Sequence, residues 1–404
     1  MLKKKLDVKL NLIDFLLILI TLYMIAPIVA RFISSYLTTY FYMLVVVLAV
    51  VLLMLIKGMK SLNECLVLIA PFVCWKVLQF FVGGDGLINW GYAAMLDIVP
   101  LLLGYYFLNY CNEDKNSFFA SLIFIILTIT LVTTVIGCMQ YPGAARYLAS
   151  VEDTQAAKAV LYDWKNIGGY TFVYFIVLLH PLIILAYKKK KIRGWWAFLG
   201  SVAVLSLTIY SEYTTALLLV LITLLLYFFK KDFKAKQLMF FAIITMLAIL
   251  LFSELFSDFL MWLADVVGSE NIAMRLEALA GGRTGMENSE DNRLELYENS
   301  FKTFLRNPLF GSFLNGGSGI GGHSFILDFM AQFGLVGVIV LFFMYRTIYK
   351  RFFVRYKNVE GYGYILWLFA QAVILSTVNT GMWLSVLAFF IPVFLKTIYR
   401  GETE

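Results

Sequence analysis

The sequence predicts an all-α polytopic membrane protein. Of its 404 residues, 61% are hydrophobic and only 15% are charged, and the mean hydropathy is +0.82. A soluble domain carries about 25% charged residues, and a water-soluble fold of this length could not bury so large an apolar surplus. Runs of about 17 to 25 apolar residues, enough to cross roughly 30 Å of hydrocarbon as a helix, recur along the chain.

These runs predict about twelve transmembrane helices, at residues 12–33, 39–56, 62–82, 91–110, 118–138, 167–187, 195–210, 214–229, 237–257, 324–345, 362–380 and 383–398. The first run is too long for a secretory signal and no small-residue cleavage site follows it, so we expect it to remain as the first span. The four cysteines lie at spacings that suggest neither a disulfide nor a metal site.

The distribution of basic residues predicts the orientation. Lysine and arginine collect in cytoplasmic connections. If the N-terminus is inside and the connections alternate, most of the 33 lysines and arginines lie inside, including the run at 188–193. Both termini are therefore expected in the cytoplasm. The pI near 9.0 follows from this orientation and does not indicate nucleic acid.

Two outward connections, residues 139–166 and 258–323, are long, and long loops in a compact chain are usually functional. Within the second, residues 258–280 and 289–306 have the periodicity of amphipathic helices, which we expect at the membrane surface. The predicted organisation is spans 1–9 in residues 1–257, an external catalytic loop in 258–323, and spans 10–12 with a cytoplasmic tail in 324–404.

Arg293 lies in the first turn of the second amphipathic helix, where the helix dipole disfavours a cation. Two interpretations remain open at this point: the arginine binds an anion, or it is solvated or contacts lipid headgroups.

A glycine-rich run directly precedes His323 and a long apolar segment. Its glycines include Gly317, Gly319, Gly321 and Gly322. Backbone N–H groups of such a run, together with the positive end of the next helix, can bind phosphate. The histidine could donate to phosphate or accept a proton. The alternative is a flexible loop with a capping histidine. The other histidine, His180 before Pro181, is predicted to be a packed site at a helix kink.

Ionisable residues inside spans are candidates for function because their burial is costly. Lys76 and Asp97 are predicted to reach the same depth of neighbouring spans, where they could pair as a structural or a functional site. Glu212 and Asp328 also fall in the outer third of the membrane. Since no chain of ionisable groups crosses the midplane, the pattern argues against an ion-coupled transporter.

Residues NRLELYENSFKTFLRNPLFG (292–311), the glycine run and HSFILDFMAQFGLVG (323–337) resemble the signature region of the O-antigen polymerase and O-antigen ligase superfamily. Members have about ten to fourteen spans and one large external loop near the C-terminal third. In this resemblance the family's loop arginine corresponds to Arg293 and its histidine to His323. Its P-x-x-G corresponds to Pro308 and Gly311, and its G-x-x-G to Gly334 and Gly337.

The resemblance implies a Wzy-type polymerase that uses undecaprenyl-diphosphate-linked glycans at the outer face of the cytoplasmic membrane, without a metal or other cofactor. A chain-length regulator is a candidate partner. Many relatives carry a serine-arginine pair at the outer end of a middle span, whereas here Ser211 precedes Glu212. Arg146, Arg275 or Arg283 could replace that arginine. The alternatives are a glycan ligase, a lipid-oligosaccharide flippase or other transporter, and a structural membrane scaffold.

Overall fold

The computed structural model describes residues 12–36, 58–83, 87–141, 144–147, 165–228, 253–266, 293–313 and 319–402, together with the single positions Ile244, Ala273 and Glu277. Within these ranges the chain is helical and contains no strand. The predicted all-α class is therefore confirmed for this part of the protein. The span predicted at 39–56 and most of that at 237–257 lie outside the described residues.

The helices are α1 (Leu12–Ile25), α2 (Pro27–Tyr36), α3 (Met59–Gly83), α4 (Leu87–Asn109), α5 (Glu113–Gln140), α6 (Ala144–Tyr147), α7 (Tyr170–Lys188), α8 (Gly194–Tyr210), α9 (Thr214–Phe228), α10 (Ser253–Val266), α11 (Arg293–Arg306), α12 (Phe325–Ile348), α13 (Tyr362–Val378) and α14 (Ile391–Ile398). A π-helix, Tyr349–Phe353, extends α12, and another, Val386–Phe390, precedes α14. The predicted first span is divided at Ala26, directly before Pro27.

Among the described residues, four helical stretches are long and apolar enough to cross a membrane, and shorter apolar helices accompany them. Their burial differs: 78% of the Tyr170–Lys188 stretch is buried, compared with 28% of Lys60–Phe81. α7 is therefore central, and it packs against α8, α9 and α13. α5 instead exposes an apolar face that includes Phe124, Ile129 and Ile136. Such a face is compatible with lipid and unfavourable in water.

α10 and α11 correspond to the two predicted amphipathic helices. α10 begins at Ser253, five residues before the predicted start at 258. Phe259, Trp262 and Val266 lie on its exposed side, whereas Leu260 and Ala264 are buried. Apolar residues on the exposed side are what a helix at a membrane surface requires. α11 begins at Arg293, and the predicted start at 289 lies outside the described residues.

α12 contains a backbone break at Gly334, which has φ 61° and ψ −145°. The turn after α11 supplies hydrogen-bond partners for the peptide groups at this break. The Leu335 N–H donates to the Pro308 carbonyl at 2.7 Å, and the Ser312 N–H donates to the Ala331 carbonyl at 2.8 Å. These bonds satisfy peptide groups that an apolar environment would otherwise leave unpaired. The motif at Pro308 and Gly311 and the motif at Gly334 and Gly337 thus belong to one backbone contact.

This contact leaves no room for side chains. A Cβ added at Gly334 would lie 2.5 Å from the Leu309 carbonyl carbon, and one added at Gly311 would lie 2.4 Å from the Ala331 oxygen. Both glycines also have positive φ, at 61° and 63°. The close approach and the backbone conformation each require glycine.

Polar contacts join the connections at each end of the helices. At the start of α5, Lys115 pairs with Asp14 at 2.6 Å and Arg400 contacts Glu113 at 2.7 Å. At the end of α5, the Thr133 hydroxyl donates to the Asn166 carbonyl at 2.7 Å. The connection that leads into α5 and the C-terminal segment, both predicted to be cytoplasmic, therefore meet at the start of α5.

Replacing Gly334 by alanine is expected to destabilise the protein by about 3 kcal/mol, because the added Cβ overlaps the Pro308–Gly311 turn and the backbone is strained. The apparent Tm in detergent measures the effect. Gly401→Ala is the control, since Gly401 also has positive φ, 78°, but open space around it. Equal shifts in both variants would contradict a role for the α12 break in stability.

Candidate functional site

The Asp328 carboxylate connects α11, the glycine-rich segment and the start of α12. Its Oδ1 accepts from the Ser300 hydroxyl at 2.6 Å and from the Gly322 N–H at 3.3 Å, and its Oδ2 accepts from the Ser324 N–H at 2.9 Å. Ser324 caps α12, since its hydroxyl accepts from the Leu327 N–H at 3.0 Å. An acid in the first turn also interacts favourably with the helix dipole. This one side chain therefore fixes the chain on both sides of His323.

The glycine-rich segment runs directly along α11. The Gly321 N–H donates to the Ser300 hydroxyl at 2.9 Å, and the Thr303 hydroxyl donates to the Gly319 carbonyl at 2.7 Å. A Cβ at Gly321 would lie 2.1 Å from the Leu296 carbonyl oxygen. Leu296 is one helical turn after Arg293, about 4.5 Å along the axis. The backbone before His323 therefore lies within about one turn of Arg293.

His323 is exposed, as is Gly322 before it. The N–H groups around it are already paired with the protein: Gly321 with Ser300, Gly322 and Ser324 with Asp328, and Phe325 with the Asn379 carbonyl at 2.9 Å. The predicted phosphate cradle could not use these donors without displacing their acceptors. The structure thus gives Gly319, Gly321 and Gly322 a role in shaping the segment that presents His323.

Lys76 and Asp97 form the predicted pair, with Nζ and Oδ2 2.5 Å apart. Lys76 is buried and also donates to the Gln79 side-chain oxygen at 3.1 Å. The neighbouring Trp75 ring contacts Phe325 in the first turn of α12, with 5.5 Å between ring centroids. The ion pair therefore joins α3 to α4, and α3 contacts Phe325 at the start of α12, two residues after His323.

Glu212 and Arg146 belong to a neighbouring group. Glu212 is buried and has φ 60°, at the corner between α8 and α9. The Tyr213 hydroxyl beside it donates to the Ala145 carbonyl at 3.0 Å, which brings α6 and its residue Arg146 to this corner. The backbone of Arg146 thus lies near Ser211 and Glu212. In the family that the sequence resembles, many members carry a serine-arginine pair at these positions.

Several predicted site residues cannot be related to this geometry. Gly317, Arg275 and Arg283 lie outside the described residues, as do the side chains of Arg293 and Arg146. His180 is described: it is fully buried, and its Nε2 lies 3.1 Å from the Ser201 hydroxyl. It is the packed residue that the sequence predicts.

Sequence reasoning missed Ser300, Tyr297 and Asn379. The Tyr297 hydroxyl donates to the Val378 carbonyl at 2.8 Å, and Asn379 accepts from the Phe325 N–H. These contacts attach the end of α13 to both α11 and α12. The only sequence signal is that Tyr297 and Ser300 lie three residues apart, on one face of a helix.

The chain matches no protein-family model and no curated protein with which it was compared.

Replacing Asp328 by alanine is expected to release the glycine-rich segment, because three donors lose a charged acceptor. A loss of about 2 kcal/mol in local stability corresponds to roughly thirtyfold faster hydrogen exchange at the Gly322 and Ser324 amides. Glu298→Ala is the control, since Glu298 is an exposed acid on α11, the helix that the glycine-rich segment contacts, and it pairs with Lys302. Unchanged exchange in Asp328→Ala would show that Asp328 does not hold this segment.

Proposed function

We propose that this protein is a polysaccharide polymerase that joins undecaprenyl-diphosphate-linked oligosaccharide repeat units at the outer face of the bacterial cytoplasmic membrane. The product is a surface polysaccharide such as O-antigen or capsule. The observation that carries the proposal is the contact of the Gly319–Gly322 backbone with α11 in an apolar helical chain. Gly321, two residues before His323, lies against the Leu296 carbonyl, and Leu296 is about one helical turn from Arg293.

The proposed topology has about twelve spans, both termini in the cytoplasm and residues 258–323 outside. The contacts at the two ends of α5 support it. One end gathers basic connections predicted to be cytoplasmic, represented by Lys115 and Arg400, and the other contacts Asn166 of a connection predicted to be external. Positive charge on the cytoplasmic side is the expected arrangement.

In the proposed reaction, a hydroxyl of the acceptor sugar attacks the anomeric carbon of the lipid-linked chain. A new glycosidic C–O bond forms, the bond from that carbon to the diphosphate oxygen breaks, and the electron pair leaves with the lipid diphosphate. His323 accepts the hydroxyl proton. Its exposed position and the fixed backbone around it suit this role.

Arg293 stabilises the charge that develops on the leaving diphosphate, as preorganised cations do at an oxyanion. Arg275, Arg283 and Arg146 are proposed to add positive charge. Because the Gly321 and Gly322 amides already donate to Ser300 and Asp328, the arginines carry the phosphate interaction. Lys76, Asp97 and Glu212 are proposed to line the substrate groove at the membrane level.

His323→Ala is expected to lower polymer formation by about 100-fold or more, since a general base typically contributes a factor of 10²–10⁴. Arg293→Ala should have a similar effect through loss of charge stabilisation. Polymer yield and chain length in cells that display each variant at normal abundance measure this. Arg306→Ala is the control, because Arg306 is an exposed arginine at the other end of α11. Normal polymer in both site variants would refute the assignment.

Purified protein incubated with a lipid-linked repeat unit tests the reaction itself. We expect a ladder of longer lipid-linked products. Transfer only to an added foreign acceptor would instead identify a ligase, and movement of the lipid across the bilayer without a new glycosidic bond would identify a flippase.

A further inference from the structure

The connection between α13 and the last helix contains a strained tryptophan. Trp383 has φ 58° and is 7% exposed. A positive φ is a genuine outlier for a bulky aromatic residue. Such strain persists only where the surroundings impose it, and it is concentrated at binding and catalytic sites.

The same connection carries two buried donors without a hydrogen-bond partner. They are the Trp383 Nε1 and the Asn379 Nδ2, and the Asn379 residue is 7% exposed. Buried N–H groups are nearly always paired, so an unpaired one requires an explanation. Two such donors four residues apart would be satisfied by a ligand that brings oxygen acceptors.

Aromatic side chains surround the Trp383 ring. Its centroid lies 5.7 Å from that of Tyr174 and 6.2 Å from that of Tyr170, and Tyr213 packs against both tyrosines at 5.5 Å. Tyr170 is half-buried and Thr380 is exposed, so the cluster reaches the surface. Aromatic faces beside a few fixed polar groups suit a ligand with apolar faces and a polar rim. A sugar ring has this chemistry.

This connection also begins beside the proposed reaction centre. The Asn379 carbonyl accepts from the Phe325 N–H, two residues after His323, and the preceding Val378 carbonyl accepts from Tyr297 on the arginine helix α11. A sugar held by Asn379 and Trp383 would therefore lie near His323. The group consists of Asn379, Trp383, Tyr170, Tyr174 and Tyr213, and its aromatic faces and N–H donors match the apolar faces and hydroxyl oxygens of a sugar.

We propose that Asn379, Trp383, Tyr170 and Tyr174 form the acceptor subsite, which binds the non-reducing terminal sugar of the incoming repeat unit. The inference rests on the proposed polymerase function. The sugar packs against the Trp383 ring while its hydroxyl oxygens accept from the Asn379 and Trp383 N–H groups. The subsite directs one hydroxyl of the bound sugar to His323.

Steady-state kinetics with separate donor and acceptor test the subsite. The donor is a lipid-linked repeat unit whose acceptor hydroxyl is blocked, so that it can donate but not accept, at fixed concentration. The acceptor is the unblocked oligosaccharide without lipid diphosphate, which can accept but not donate. Trp383→Phe keeps an aromatic ring but removes the indole N–H, and Asn379→Asp replaces a donor by an acceptor of similar shape. Each is expected to raise the acceptor KM by about tenfold, the effect of one hydrogen bond, while kcat and the donor KM stay within about twofold.

Trp195→Phe is the matched control, because Trp195 is exposed at the start of α8. Its acceptor KM should equal that of the unsubstituted protein. Binding of the lipid-free oligosaccharide should also quench tryptophan fluorescence in the Trp195→Phe protein more than in Trp383→Phe.

The outcomes separate the two proposals. If the unsubstituted protein extends the acceptor but both subsite variants keep its KM, the subsite is wrong and the polymerase proposal stands. A change confined to the donor KM would place the donor there and overturn the assignment. If the unsubstituted protein forms no glycosidic bond with any acceptor, the proposed function fails, and the acceptor subsite fails with it.

Discussion

The geometry around His323 depends on the hydrogen bonds of the Asp328 carboxylate. It joins Ser300 of α11, Gly322 of the glycine-rich segment and Ser324 at the start of α12. Hydrogen bonds to a charged acceptor are about twice as strong as neutral ones, and a half-satisfied polar network in an apolar protein would be costly. A single acid can therefore hold three chain segments in a fixed relation.

This arrangement changes the physical interpretation of the glycines. A glycine-rich run before a helix suggests a phosphate cradle, yet here Gly321 and Gly322 donate to side chains of the protein. Gly321 is glycine because its Cα passes against the Leu296 carbonyl. The run therefore allows close packing on α11, and in the proposed reaction the positive charge for the diphosphate comes from arginines.

A second backbone contact sets the direction in which α11 leads into α12. The Pro308–Gly311 turn pairs with the peptide groups freed at Gly334, so the arginine helix and the span that follows His323 are joined at two points. Together with Asp328, this contact fixes both ends of the intervening segment. α11 and α12 can then act as one rigid support for the residues between them.

Periodicity and length predicted much of the fold. The spans expected at 62–82 and 118–138 lie inside α3 and α5, and the Lys76–Asp97 pair followed from placing both residues at one depth. The break at Gly334 could not be predicted from hydropathy. The peptide groups freed there form hydrogen bonds with a turn more than twenty residues away in the sequence, and a hydropathy profile contains no information on such contacts. The Ser300–Asp328 bond and the strain at Trp383 likewise arise from tertiary contacts between segments that look independent in the sequence.

In the proposed reaction, Arg293 and His323 act on one lipid-linked donor. A cryo-EM structure of the protein with a non-reactive lipid-diphosphate oligosaccharide in a lipid nanodisc tests this directly. We expect the diphosphate against Arg293, with His323 facing the anomeric carbon and with Gly321 and Gly322 still bonded to Ser300 and Asp328. A diphosphate bound away from α11, for example beside Lys350 and Arg355 at the other end of α12, would contradict it.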